Sequence, residues 1–230
     1  MEINTFTAKV IDRKQLTEDV ILLSFQCPEN FTFKAGQYVS VKVENESETK
    51  RRSYSILNPP SQKGQLDLCI KIVEGGFASS IFDNAQVGNS FEFKGPLGHF
   101  IFDEEDNSPT ICLVGTGTGV TPLYSMLMEF LPSMPEKKFV LLFGVRHQKG
   151  LFLHDKFQQL AKQYPNFEYI PMLSRDEWEG KQGRVQQHLP EDCSDTTFYI
   201  CGLKEMVLET KELLINKQVE PKNIRFERYN

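Results

Sequence analysis

The sequence predicts two domains of unlike architecture: a small antiparallel β-barrel or sandwich over residues 1–102, then an α/β domain on a parallel sheet over residues 110–230. Two observations predict this. Before residue 103, short β-rich runs follow one another with turn residues between them; after residue 109, apolar strands alternate with helix-like stretches. Between them, Asp103-Glu104-Glu105-Asp106-Asn107-Ser108-Pro109 reads as a polar, acidic linker over 103–109. A length of 230 residues suits two domains of this size.

Taken in order, strands of the first domain are expected at residues 5–11, 20–26, 37–43, 53–57, 66–73 and 90–94. Pro28, Gly36, an acidic stretch over 44–48, Pro59-Pro60, Gly64 and Gly88 punctuate them. A short helix is expected at 77–84. Beyond the linker, strands are expected at 110–114, 139–145, 167–173, 197–201 and 225–226, with helices at 121–131, 153–164 and 203–217. Such alternation implies a parallel sheet covered on both faces.

Composition narrows the function classes. Hydrophobic residues make up 40% and charged residues 25%, as in ordinary globular chains. A formal net charge of -5 with no Lys/Arg block argues against a nucleic-acid partner. No apolar run approaches the ~18 residues of a membrane span, and Met1-Glu2-Ile3-Asn4 lacks the features of a signal peptide. A cytoplasmic monomer is the expectation. Five cysteines without a C-x-x-C pair, and only four histidines, support neither a disulfide framework nor a protein-ligated metal. Eighteen Phe against one Trp reads as core filling.

Three motifs carry chemistry. The strongest is Val114-Gly115-Thr116-Gly117-Thr118-Gly119-Val120-Thr121-Pro122, which follows an apolar strand and opens a helix. Glycines there let the backbone approach a pyrophosphate, and the helix N-terminus offers unpaired N–H groups. The spacing is not G-x-G-x-x-G. The second is Arg52-Ser53-Tyr54-Ser55: a guanidinium that can fork onto phosphate, a ring that can stack, and hydroxyls that can hydrogen-bond a heterocycle. An edge strand with an exposed Arg and a half-buried Tyr would read the same way. The third is Gly75-Gly76-Phe77-Ala78-Ser79, a second candidate anion site or a plain strand-to-helix turn.

Together these residues resemble the ferredoxin–NADP⁺ reductase superfamily over essentially the whole length, which implies a six-stranded antiparallel flavin-binding β-barrel followed by an α/β parallel-sheet nucleotide-binding domain. Arg52-Ser53-Tyr54-Ser55 is similar to its R-x-Y-[ST] flavin motif, and Gly76-Phe77-Ala78-Ser79 to its G-x-x-S flavin-pyrophosphate motif. Gly95-Pro96-Leu97-Gly98 resembles the turn that ends its barrel. Gly117-Thr118-Gly119-Val120-Thr121-Pro122 resembles its nucleotide loop, and Cys201-Gly202 its C-G pair.

The resemblance implies a flavin-dependent oxidoreductase that moves hydride between NAD(P)H and FAD, with FAD expected rather than FMN. Arg52 would hold the flavin pyrophosphate, Tyr54 would stack on the isoalloxazine, and Ser55 would lie near N5. Gly75, Gly76, Ala78 and Ser79 would form the pyrophosphate turn, with Ser53 beside Arg52. Gly117, Thr118 and Thr121 would line the nicotinamide nucleotide, with Cys201 and Gly202 beside its ring. Glu227 would sit at the flavin edge and Tyr229 would cover the ring. Ser55, Cys201 and Glu227 are the residues expected nearest the hydride path.

Coenzyme choice turns on cations for a 2′-phosphate. Ser174-Arg175 resembles the pair many NADP-selective members use, and Arg146 is a second basic residue, with Lys181 or Arg184 as helpers. Asp176 and Glu177 weigh against them, and NADPH is placed ahead of NADH. The [2Fe–2S] and globin modules often fused in this superfamily find no room in this length, so a separate carrier such as ferredoxin, flavodoxin or an oxygenase component is the expected partner. A flavin or quinone reductase, and a docking subunit without catalysis, are the other readings.

Overall fold

The computed structural model describes residues 2–229 and divides into two compact units. One comprises the chain up to Phe102 together with Tyr124–Glu129; the other comprises Asp103–Leu123 and everything from Phe130.

The first unit is a single curled antiparallel sheet. Its strands are β1 (Asn4–Thr17), β2 (Val20–Gln26), β3 (Tyr38–Glu44), β4 (Thr49–Ser55), β5 (Gln65–Lys71) and β6 (Ser90–Leu97), with helix α1 (Phe77–Asp83) between the last two. They lie in the order β4-β3-β6-β1-β2-β5, and the two outer strands meet through an Ile56–Leu68 bridge. Alternation places the inward set: in β3, Val39, Val41 and Val43 are buried while Tyr38, Ser40 and Lys42 are less so. Phenylalanine fills the interior. Phe6, Phe25, Phe31, Phe82, Phe91 and Phe93 form a chain of rings with centroids 4.6–5.9 Å apart. Aromatic pairs at such distances add about 0.5–1.5 kcal/mol each beyond their buried area.

Two strands depart from the sequence reading. The expected strand at 53–57 is instead β4 at Thr49–Ser55, so the charged run Lys50-Arg51-Arg52 lies inside a strand. An edge strand tolerates this because its charges reach solvent and discourage further pairing. The Asn45 side chain closes the β3–β4 hairpin, accepting from the Ser47 and Glu48 amides at 3.0 and 2.9 Å. Likewise β1 runs on to Thr17 through a charged stretch, with Arg13 paired to Asp83 at 3.3 Å.

From residue 110 the chain alternates strand and helix: β7 (Thr110–Thr116), α2 (Val120–Phe130, whose residues Tyr124–Glu129 count with the first unit), β8 (Lys138–Val145), α3 (His154–Gln163), β9 (Phe167–Leu173), β10 (Lys181–Gln182), β11 (Thr196–Leu203), α4 (Lys204–Asn216) and β12 (Ile224–Tyr229). Every strand pairing is parallel, in the order β10-β9-β8-β7-β11-β12. The central strands β7, β8 and β11 are almost continuously buried, as a parallel sheet requires, whereas edge strand β12 is mostly exposed or half-buried. Two-residue β10 left no periodic signal to read, and β12 extends well beyond the expected 225–226.

The stretch 103–109 is not slack. Asp103 pairs with Arg225 at 2.6 Å and its amide donates to the Tyr199 hydroxyl at 3.0 Å, while Lys137 donates to the Asp106 and Ser108 carbonyls. It belongs to the second unit, bound to the edge where β7, β11 and β12 begin.

Candidate functional site

In the first unit, the two motifs expected to act together do converge. Tyr54 on β4 meets Phe82 on α1 edge to face, with ring centroids 5.4 Å apart at 86°, and the Lys50 ammonium stands 5.0 Å over the Phe77 ring. The turn that carries Gly76 and Ser79 is therefore held beside the strand that carries Arg52 and Tyr54. Burial pushes the Tyr54 phenol up to about 12, against the pull of Arg52, so the ring stays neutral across ordinary pH. Lys50 and Arg51 are committed to Glu48 and Glu92, whereas Arg52 is exposed and donates to the Arg51 carbonyl at 2.9 Å. Ser53 is exposed and Ser55 is buried.

The turn itself is tight. Gly75 has φ +68°, a conformation that favours glycine, and a β-carbon on Gly76 would lie 2.9 Å from both the Ser79 Oγ and the Val73 carbonyl oxygen. Ser79 Oγ accepts from the Val73 amide at 2.9 Å, tying α1 back to the strand end. The Ala78 side chain belongs to the hydrophobic core, which leaves only its backbone to face a ligand.

In the second unit, the chain runs outward from β7 through β8 and β9 to β10, then returns to place β11 on the other side of β7. The strand order reverses there, and ligands of open α/β sheets bind outside the carboxyl ends of the strands at such a point. The glycine-rich loop leaves β7 at this edge, and Cys201-Gly202 lies at the end of β11 beside it. A β-carbon on Gly119 would lie 2.6 Å from the Cys201 carbonyl carbon, and one on Gly202 would lie 2.7 Å from the Met206 methyl and closer still to Thr116 Oγ1. Both glycines are required by packing. Gly117, with φ +52°, opens the single turn that leads into α2.

Two hydroxyls in this loop are orphaned: Thr116 Oγ1 and Thr121 Oγ1 are buried without a hydrogen-bond partner. Thr121 is only 2% exposed, so its hydroxyl has no water to fall back on. Cys201 is fully buried, and burial pushes its thiol up, with the Glu227 carboxylate adding to the rise and a hydrogen bond from Tyr229 opposing it. The β11–β12 register places Glu227 opposite Cys201 and Tyr229 opposite Leu203, so all three expected residues do meet.

At the next strands, the β8–β9 ladder continues past its ends. The Ser174 amide donates to the Val145 carbonyl and the Arg175 amide to the Arg146 carbonyl, both at 3.0 Å. Arg146, Ser174 and Arg175 are thereby gathered at one exposed corner. Asp176 does not stand open there: His147 Nδ1 lies 2.6 Å from its Oδ1, and the Gln148 amide donates to its Oδ2 at 2.8 Å. The bond from His147 holds the Asp176 carboxyl below its usual range. Arg184 leans to Glu209 on α4 at 3.9 Å, and the Lys181 carbonyl accepts from the Trp178 indole at 2.6 Å.

Residues 7–102 match the oxidoreductase FAD-binding domain family, and residues 113–212 the oxidoreductase NAD-binding domain family. The chain is 32% identical over 239 residues to ferredoxin–NADP reductase B of Sorangium cellulosum, covering 98% of each protein. The chain belongs to the ferredoxin–NADP reductase superfamily. It is also 30% identical over 236 residues to the phenol hydroxylase P5 protein of Acinetobacter pittii, covering 99% of this chain and 66% of that relative, just under two thirds of its length. The crystal structure of the Amycolatopsis reductase GcoB superposes with a TM-score of 0.92 at 27% identity, over 98% of this chain and 70% of that one.

As a member of this superfamily, the protein is an oxidoreductase whose first domain binds FAD and whose second binds a nicotinamide dinucleotide. The residues fit both groups. A neutral half-buried Tyr54 beside an exposed Arg52 suits a ring joined to a pyrophosphate, and a glycine-lined loop with orphaned hydroxyls suits a dinucleotide. Thr116 lies inside the glycine-rich motif but is not among the expected site residues; its hydroxyl between two glycines is the signal in the sequence that marks it. Among the described residues, no His/Cys/Asp/Glu cluster could hold a metal and no helix is long and apolar enough to cross a membrane.

Proposed function

We propose that the protein is a FAD-dependent NAD(P)H reductase, NADPH ahead of NADH, which passes electrons to a separate one-electron carrier. When bound, FAD supplies hydride acceptance from the nicotinamide and release of electrons one at a time. The chain supplies binding and orientation. Arg52 grips phosphate oxygens through its exposed guanidinium, Tyr54 offers a neutral ring face, and Ser53 and Ser55 offer hydroxyls. Gly75, Gly76, Ala78 and Ser79 provide a turn whose backbone a pyrophosphate can approach. Gly117, Thr118 and Thr121, with Thr116 added, hold the dinucleotide across the β7–β11 switch point, with Gly202 letting the loop close on β11.

Cys201, Glu227 and Tyr229 act as a set. With its pKa raised, the thiol stays protonated and does not act as a nucleophile, as hydride transfer requires none. Tyr229 covers it, and Glu227 supplies the polar group at the end of the sheet. Arg146, Ser174 and Arg175 receive a 2′-phosphate, and the engagement of Asp176 by His147 supports that choice.

The observation that carries this reading is the meeting of the β7 loop with Cys201-Gly202 where the strand order reverses. Relatives that serve as reductase components of oxygenase systems support a separate protein acceptor. Anaerobic mixing of the purified flavoprotein with NADPH, and separately with NADH, tests it. Rapid bleaching of flavin absorbance by NADPH is expected; no bleaching by either nucleotide refutes the reading.

A further inference from the structure

Asp176 follows Ser174-Arg175 beyond the end of β9, the third strand of this unit, next to the cations that the NADPH reading assigns to a 2′-phosphate. A carboxylate aimed at that phosphate would oppose it by like charge. Both of its oxygens are engaged here. His147 Nδ1 is 2.6 Å from Oδ1 and the Gln148 amide is 2.8 Å from Oδ2. Because the carboxyl is held in its ionised, accepting form, the bond fixes the imidazole proton on Nδ1. His147 and Gln148 follow Arg146 on the β8 side, and Asp176 follows Ser174-Arg175 on the β9 side. The side-chain clasp thus extends the backbone bonds that set Arg146 beside Arg175.

We propose that the His147–Asp176 pair is a positioning clasp that determines dinucleotide selectivity. It turns the carboxylate away from the 2′ position and locks the two turns together, so that Arg146, Ser174 and Arg175 face one anion. Charge-assisted bidentate recognition of phosphate is sensitive to such registration, since the guanidinium fork has fixed geometry. Neither partner touches the dinucleotide; each acts through the cations it orients. The inference rests on the NADPH reading above and names the device that enforces it.

The test uses the full-length flavin-loaded protein, with 2′,5′-ADP and 5′-AMP as calorimetric probes and steady-state kinetics with both coenzymes. The wild type is expected to bind 2′,5′-ADP more tightly than 5′-AMP. His147→Ala and Asp176→Ala are each expected to lower the NADPH-over-NADH ratio of kcat/KM about tenfold, the size of one lost charge-assisted contact. The change should enter through KM for NADPH. His147→Asn, whose amide N–H can replace the Nδ1 donor, should recover most of the selectivity. With side chains 43% and 35% exposed, neither truncation opens a core cavity, and a thermal melt of each variant checks the fold. If both alanine variants stay within about twofold of wild-type selectivity, the clasp is refuted while the NADPH reading stands. If the wild type itself binds 5′-AMP as tightly as 2′,5′-ADP, the NADPH reading fails and the clasp with it.

Discussion

Gly119 packs face-on against the peptide carbonyl of Cys201, so that a β-carbon at 119 would lie 2.6 Å from the carbonyl carbon. Backbone meets backbone there, and no flexible side chain can yield. The loop that leaves one strand is thereby clamped to the end of the strand beside it. Gly119→Ala is expected to retain FAD, which the other domain binds, yet to slow flavin bleaching by NADPH about 100-fold, because displacements of ~1 Å at a reacting geometry carry that penalty. Overpacking should also destabilise the fold by about 1–3 kcal/mol. Stopped-flow absorbance and thermal unfolding measure the two effects.

Tyr54 gives a second contrast. Its phenol is pushed up to about 12 by burial, so its hydroxyl remains neutral and its contribution lies in the ring. Tyr54→Phe should therefore hold flavin nearly as well as wild type from pH 6 to pH 10, whereas Tyr54→Ala should lose most of it on desalting. Stacked aromatic pairs are worth about 0.5–1.5 kcal/mol beyond burial, which sets the scale of the loss. Flavin content per chain after gel filtration decides.

Thr121 should show opposed effects on stability and binding. Its orphaned hydroxyl is a desolvated group with no partner, and such groups cost about 1–3 kcal/mol. Thr121→Val keeps the shape and removes the hydroxyl. The ligand-free protein should melt higher, and the KM for NADPH should rise several-fold. A variant that melts lower and binds unchanged would remove Thr121 from the site.

Acid should release the turn after β9. The Asp176 carboxyl is held below its usual value by His147 and the Gln148 amide, so its stabilising contribution is complete above the unfolded carboxylate value of ~3.9 and is lost as pH falls through the lower folded value. The melting difference between wild type and Asp176→Ala should therefore be present at pH 5 and shrink below pH 4. Persistence of the full difference at pH 2.5 would contradict the assignment.

Much of this architecture was legible along the chain because its signals are local. Strand β9 matches the expected 167–173, and the helices and central strands of the second domain fall within a few residues of expectation, since periodicity and apolar runs report burial directly. Strand β4 begins four residues before the expected 53–57, because Lys50-Arg51-Arg52 carries no strand signal until β3 pairs with it. Residues 103–109 read as a linker because acidic, polar residues give no sign of the Tyr199, Thr197 and Arg225 side chains that bind them.

By itself the sequence determined the two-domain fold, its superfamily, and which turns must carry glycine, because propensity, periodicity and backbone freedom are written in neighbouring residues. Only the tertiary structure decided which functional residues meet. Asp176 reads as a free acid in sequence and is engaged by His147, 29 positions away; Thr121 reads as a nucleotide-loop residue, and only the packing shows that its hydroxyl is buried without a partner. Partnership and desolvation depend on which distant atoms share a space, and the parallel crossovers that bring β8 to β9 and β7 to β11 set that.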